Sequence, residues 1–209
     1  MEIIQRLRNW WRDARTQAHA DWADTHLTRG DFEATIRDCT RSLALRPDQP
    51  DVYFLRGRAH YLSGNMSAAI ADYDAAIALN PRHAGAYANR GLAYYRAGHL
   101  NDAMCDTNMA IYLEPTHAFA YNVRGLIGEA QDNLSGAIID YTQAIRLNPQ
   151  IVTAYTNRGS ARARRGDVRG AIADYQRYLA LGGGLRNGDQ SQIESTIEAL
   201  RGNQERQTG

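Results

Sequence analysis

The sequence predicts an all-α fold, an α-solenoid of tandem helix-turn-helix repeats, and three observations predict it. Gly57, Gly91, Gly125 and Gly159 stand 34 residues apart, and Pro47, Pro81, Pro115, Pro149 and Tyr53, Tyr87, Tyr121, Tyr155 keep the same step. A fixed period of roughly 20–50 residues is the mark of stacked repeats. Ala, Arg, Leu and Gln are abundant, prolines number only five, and no alternating Val/Ile/Thr run suggests a strand. Finally, each period contains two helical patterns divided by a breaker.

The chain opens with MEIIQRLRNWWRDAR, in which Ile3, Ile4, Leu7, Trp10, Trp11, Ala14 and Ala18 fall at spacings of three and four. That apolar stripe predicts an amphipathic helical extension over residues 1–15. No Pro or Gly lies between Met1 and Arg29, so the extension is expected to run into the first repeat helix. An exposed stripe needs a cover. Self-association through Ile3, Ile4, Leu7, Trp10 and Trp11, as in a homodimer, is the first choice. The alternatives are folding back as a cap after a kink, and contact with a membrane surface.

Five units follow, at 16–49, 50–83, 84–117, 118–151 and 152–185. In the third, Ala84–Ala97 reads as one helix, with Tyr87, Gly91, Tyr94 and Tyr95 at helical spacing. Gly98-His99 breaks it, Asn101 is placed to cap a second helix over Asp102–Leu113, and Pro115 ends the unit. Two helices cannot cover their own apolar faces, so neighbours must stack. The first unit differs, with Ala23 and Thr35 where other units carry glycine and alanine. The fifth ends in Leu181-Gly182-Gly183-Gly184, and Ser191-Gln192-Ile193-Glu194 then reads as a capping box. The helix it opens, to about Arg201, turns Ile193, Ile197 and Leu200 to the last open face, giving a capping helix over 186–202. Residues 203–209 are polar and expected to be disordered.

Arg56, Arg90, Arg124 and Arg158 recur beside the glycines, and Asp38, Asp72, Asp106, Asp140 and Asp174 recur with them. Each arginine is expected to pair with an aspartate, sixteen residues later in its own unit or eighteen earlier in the preceding one. The first unit has an aspartate but Trp22 in place of the arginine, which favours the pairing across the boundary, Asp72 to Arg90.

Chemistry is largely excluded. The formal charge is +1, so no bulk field selects nucleic acid. Cys39 and Cys105 form no metal or redox spacing, and Cys105, beside Met104 and Met109, is expected in the core. The six histidines include no HExxH, and His83 and His117 share one repeat position. Gly182–Gly184 lacks the Lys-Ser/Thr of a phosphate loop. Catalysis, a metal and a cofactor are all unexpected. No run of about 18 apolar residues spans a membrane, and no secretory leader is visible, which suits a cytoplasmic protein.

The sequence resembles the tetratricopeptide repeat family. The resemblance rests on Tyr87, Gly91, Ala103 and Pro115, on Gly57, Ala69, Tyr73 and Pro81, on Gly125, Ala137, Tyr141 and Pro149, and on Gly159, Ala171 and Tyr175. It implies a right-handed solenoid, with the glycine where paired helices approach most closely. It also implies a non-catalytic scaffold or adaptor whose first helices line a concave groove for a segment of a partner protein. Carried over by position, the groove would present Phe54, Arg58 and Tyr61, then Asn89, Leu92, Tyr95 and Arg96. Further along come Phe119, Asn122, Leu126 and Glu129, then Asn157 and Arg164. Apolar surface flanked by Arg58 and Arg96 suits an acidic peptide with apolar anchors, and Asn89 and Asn157 suit a peptide main chain. A chaperone-tail receptor is disfavoured, because Phe54 stands where such a clamp needs lysine and the sequence has none. The competing reading is a structural protein that assembles with itself.

Overall fold

The computed structural model describes the backbone of residues 2–208, and their side chains except at 2–4, 7–12, 15, 186 and 203–208. Every regular element among the described residues is helical. The chain divides into two compact units, at residues 1–113 and 114–209. The first holds α1 (Glu2–Thr28), α2 (Phe32–Leu45), α3 (Pro50–Leu62), α4 (Met66–Leu79), α5 (Ala84–Arg96) and α6 (Leu100–Leu113). The second holds α7 (Ala118–Ala130), α8 (Leu134–Leu147), α9 (Val152–Arg164), α10 (Val168–Ala180), α11 (Gly183–Asn187) and α12 (Gln190–Thr208). Each odd-numbered helix from α1 to α9 pairs with its successor as a hairpin. Within each unit successive hairpins stack, α2 on α3 and α4 on α5, and α8 on α9.

The repeat is written first in the caps. Asp31, Asn65, Asn133 and Asp167 precede second helices, and each side chain accepts from the backbone N–H three residues on. In the third hairpin that register holds His99, and α6 begins at Leu100. Asn101 therefore lies inside the helix and is not its cap, which corrects the expectation. His83 and His117 are the N-caps of α5 and α7: each Nδ1 accepts from the N–H of Ala86 or Ala120 at 3.2 Å. Their shared repeat position is thus a helix start. Between paired helices Gly30, Gly64, Gly98 and Gly166 take φ near +80°, and Asp132 takes the same place with φ +59°.

Small residues set the hairpin spacing. A Cβ on Gly57 would lie 2.7 Å from the Tyr73 ring, one on Gly125 2.5 Å from Tyr141, and one on Gly159 3.1 Å from Tyr175. On Gly91 it would lie 3.0 Å from the Thr107 methyl. The first hairpin solves the same contact differently. Ala23 and Thr35 are both fully buried, and the Thr35 hydroxyl lies 3.3 Å from the Ala23 carbonyl while donating to Asp31 O at 2.9 Å.

The arginine–aspartate pairs form inside each hairpin, not across the boundary. Nε and Nη2 of Arg56, Arg90, Arg124 and Arg158 grip both oxygens of Asp72, Asp106, Asp140 and Asp174 at 2.6–2.9 Å. The preference for Asp72 with Arg90 is therefore overturned. Trp22 misled because Asp38 is served instead by His19, His26 and Arg41 at 3.7, 3.6 and 3.2 Å. The boundary is crossed by the remaining guanidinium nitrogen. Nη1 donates to Thr40 from Arg56, to Asp74 from Arg90 and to Thr142 from Arg158. A tyrosine three residues earlier lies against each guanidinium, 5.4–5.9 Å from ring centre to Cζ.

The cysteines separate. Cys39 is buried, and burial pushes its thiol up to about 12, so it is protonated and unreactive at neutral pH. Cys105 is exposed, against expectation, because it lies on the face of α6 that turns away from α5. α1 runs unbroken over 27 residues, about 40 Å by helical rise, against 14 residues for α2. The Ser42 hydroxyl, near the end of α2, donates to Thr16 O at 3.1 Å. The proposed contacts Ile3, Ile4, Leu7, Trp10 and Trp11 lie outside the described side chains, as do residues 203–209. At the other end Ile193, Ile197 and Leu200 of α12 pack against Ala171 and Tyr175 of α10. Ser191 lies within that helix, whose first turn is closed by a Gln190–Glu194 side-chain bond at 2.9 Å in place of a capping box.

Candidate functional site

In the first unit the candidate residues sit on α3 and α5. The pattern Phe54, Arg58, Tyr61 steps by four and three, and so shares one helix face. Phe54 lies 6.0 Å, ring to ring, from Tyr73 and 4.8 Å from His83. The Arg58 guanidinium lies 5.8 Å from the Phe54 ring centre. Tyr61 packs against a core cluster of Ala69, Tyr73 and Ala93. On α5, Leu92 and Tyr95 are half-buried and Arg96 is exposed. Asn89 donates from Nδ2 to Gly85 O, one turn back on its own helix, at 2.8 Å. Neither Arg58 nor Arg96 is paired with a carboxylate among the described residues. The Tyr73 hydroxyl is fully buried and has no hydrogen-bond partner among the described residues. Burial pushes that phenol up, against an opposing pull from the Arg58 charge.

The second unit's candidates, on α7 and α9, are drawn together by a different arrangement. Asn122 is buried, and its Oδ1 accepts from Asn157 Nδ2 at 3.1 Å. Asn157 is thereby bonded across the two helices through its own donor. Glu129 accepts from the Tyr141 hydroxyl at 3.0 Å, from Ser160 at 3.4 Å and from Arg164 at 3.1 Å. Arg164 also donates to Asp132 at 2.9 Å. Phe119 is half-buried near His117, and Leu126 packs against Ala137, Ile138, Tyr141 and Ala161. Sequence position placed Glu129 in the groove but did not single it out as the hub. The available signal was a break in pattern, since Glu129 holds the repeat position of Tyr61 and Tyr95.

The two faces contrast electrostatically. In the second unit arginine, carboxylate, phenol and amides satisfy one another, whereas in the first two cations and a phenol stand without acceptors among the described residues. Among the described residues no helix is long and apolar enough to cross a membrane. No cluster of three His, Cys, Asp or Glu is placed to hold a metal ion among them either.

Stacked hairpins with a 34-residue period, glycine at the helix crossing of four of the five hairpins and side chains presented by the first helices define a helical-repeat protein. Tetratricopeptide repeat profiles match residues 24–82 and, with a second profile, 63–112 and 129–186, more than half of the sequence. The chain belongs to the tetratricopeptide repeat family. It is similar in fold to PilF of Pseudomonas aeruginosa, at 18% identity and a TM-score of 0.73, covering 90% of each chain. MamA of Desulfovibrio magneticus RS-1 is similar at 19% identity and a TM-score of 0.65, over 81% of this chain and 96% of that one. The first repeat domain of Spaghetti (RPAP3), solved with the HSP90 peptide SRMEEVD, is similar at 24% identity and a TM-score of 0.55, over 57% and 94%. No curated protein matches the sequence.

Proposed function

We propose that the chain is a non-catalytic interaction scaffold whose first unit receives a peptide segment of a partner protein on the concave face lined by α3 and α5. The fold supports protein–protein interaction in general, and a similar domain was solved with a peptide. One observation carries the finer reading: among the described residues Arg58 and Arg96 lack carboxylate partners beside half-buried Phe54, Tyr61, Leu92 and Tyr95. Such surface combines apolar and aromatic anchorage with positive charge, so it fits a segment of apolar anchors flanked by acidic residues. Panning a random peptide library on the full chain supplies the probe. Peptides so recovered should bind the Arg58→Glu, Arg96→Glu double variant at least tenfold more weakly. Equal binding by a folded double variant would remove this face from the account.

A second reading, self-assembly, is favoured by the unbroken α1, which continues beyond the 14-residue span of its partner helix. The apolar pattern Ile3, Ile4, Leu7, Trp10 and Trp11 then meets a second copy. Light scattering of the wild type against Trp10→Glu, Trp11→Glu tests it: a dimer mass that falls to the monomer supports assembly. A monomer mass for the wild type at high concentration rules it out.

A further inference from the structure

The second unit contains a template for what the first unit lacks. Tyr141 lies beneath Gly125, its ring 2.5 Å from where a glycine Cβ would stand, and its hydroxyl emerges at Glu129 of α7. Arg164, one hairpin further on, closes on the same carboxylate. Two repeats earlier, 68 positions in the sequence, Tyr141 becomes Tyr73, Arg164 becomes Arg96 and Glu129 becomes Tyr61. Tyr73 lies beneath Gly57 in the same way, at 2.7 Å. The two donors are therefore kept and the acceptor is missing. Its absence is visible in the structure, since among the described residues the Tyr73 hydroxyl is buried without a partner and Arg96 stands without a carboxylate. A buried donor left unpaired is a standing cost that a ligand acceptor removes.

We infer that the first unit holds an acceptor site for one acidic side chain of the bound peptide, with Tyr73 and Arg96 donating to its carboxylate and Arg58 adding positive charge beside it. This deepens the peptide-binding reading and rests on it. The acid takes the place that Glu129 fills internally in the second unit. Because the Tyr73 hydroxyl has no exposed surface in the free protein, entry requires the ring of Tyr61, half-buried against the same cluster, to swing outward. Selectivity follows from the geometry. A glutamine in place of the acid offers one neutral carbonyl to two donors and no charge to Arg96 or Arg58, so the site discriminates between isosteres of equal size.

The test pans a random peptide library displayed on phage against the full chain, alongside its Tyr61→Glu and Tyr73→Phe variants. Tyr61→Glu builds the missing carboxylate into the protein itself. It should raise the melting temperature and eliminate enrichment of acidic peptides, because the acceptor position is already filled. Tyr73→Phe removes the orphaned hydroxyl and should fold at least as stably as the wild type. It should weaken the best wild-type peptide about tenfold, as expected for a hydrogen bond to a charged group, and leave the glutamine counterpart of that peptide unaffected. Enrichment of apolar peptides with no acid preference in the wild type would overturn the acceptor site while leaving the groove standing. So would unchanged affinity in Tyr73→Phe, or a lowered melting temperature in Tyr61→Glu. Failure to enrich any peptide would remove the groove and the acceptor site together.

Discussion

Arg90 grips Asp106 through Nε and Nη2, both at 2.7 Å, and turns its third nitrogen to Asp74 on the preceding hairpin. One side chain thus closes its own hairpin and fixes its register on the preceding one. Burial pushes the Asp106 carboxyl above its usual range and Arg90 pulls it back, while the hydrogen bonds to Asp106 hold the guanidinium charged. Arg90→Leu would leave Asp106 buried and uncompensated, at a cost of about 3 kcal/mol for a partly buried pair. The cost should depend on pH in a defined direction. With its folded pKa raised above the unfolded one, Asp106 stabilises the fold below the unfolded value, and that contribution is lost as pH rises through the folded value. Removing Arg90 raises the folded value further. The deficit should therefore be largest near neutrality and shrink on acidification into the carboxylate range, as denaturant titrations would record. A deficit independent of pH would mean that lost packing, not the stranded carboxylate, dominates.

The close approaches predict a graded glycine series. Alanine is favoured over glycine by about 1 kcal/mol in a helix interior, so any loss on Gly→Ala comes from the crossing. Gly125→Ala, whose Cβ would meet the Tyr141 ring at 2.5 Å, should destabilise most, by about 1–3 kcal/mol. Gly57→Ala should follow and Gly159→Ala should cost least, since their rings stand at 2.7 and 3.1 Å. Melting temperatures of the three variants check the order, and a reversed order would contradict the packing.

His83 and His117 start helices through their Nδ1 atoms. His117→Ala should cost about 1 kcal/mol of stability, as loss of an N-cap does, and His117→Asp should restore it. Equal losses in both variants would assign the cost to the ring contact with Phe119 instead.

Thr35 substitutes for the repeat alanine by turning its hydroxyl to Asp31 O and placing it near Ala23 O. Thr35→Val keeps the volume and deletes the donor, so about 1 kcal/mol should be lost. Thr35→Ala adds a cavity and should cost more. A smaller loss for alanine would mean that the first hairpin is overfilled.

The fold was legible because it is repeated: a residue type recurring at 34 steps under one packing constraint identifies that constraint without coordinates. Gly57, Gly91, Gly125 and Gly159 carried that information, and the structure places each at a helix crossing. The direction of the arginine bonds was not legible. Sixteen residues forward and eighteen back bring an aspartate within comparable reach, and only the hairpin geometry selects between them. Asn122 and Asn157 were legible as polar groove positions, but their bond to each other was not, because the sequence does not give their mutual distance. Glu129 was placed in the groove by its repeat position, but its role as a hub was not legible, because the repeat directs attention to residues that recur. The positions that break the pattern, Glu129 in one unit and Tyr61 in the other, are where the two candidate faces differ.

The central claim is that a peptide occupies the face of α3 and α5, and chemical-shift mapping tests it most directly. On titrating isotope-labelled protein with a library-selected acidic peptide, the largest shifts should fall at Phe54, Arg58, Tyr61, Leu92, Tyr95 and Arg96. Shifts concentrated instead at the exposed Met109 and Tyr112 of α6, with α3 and α5 unmoved, would contradict it.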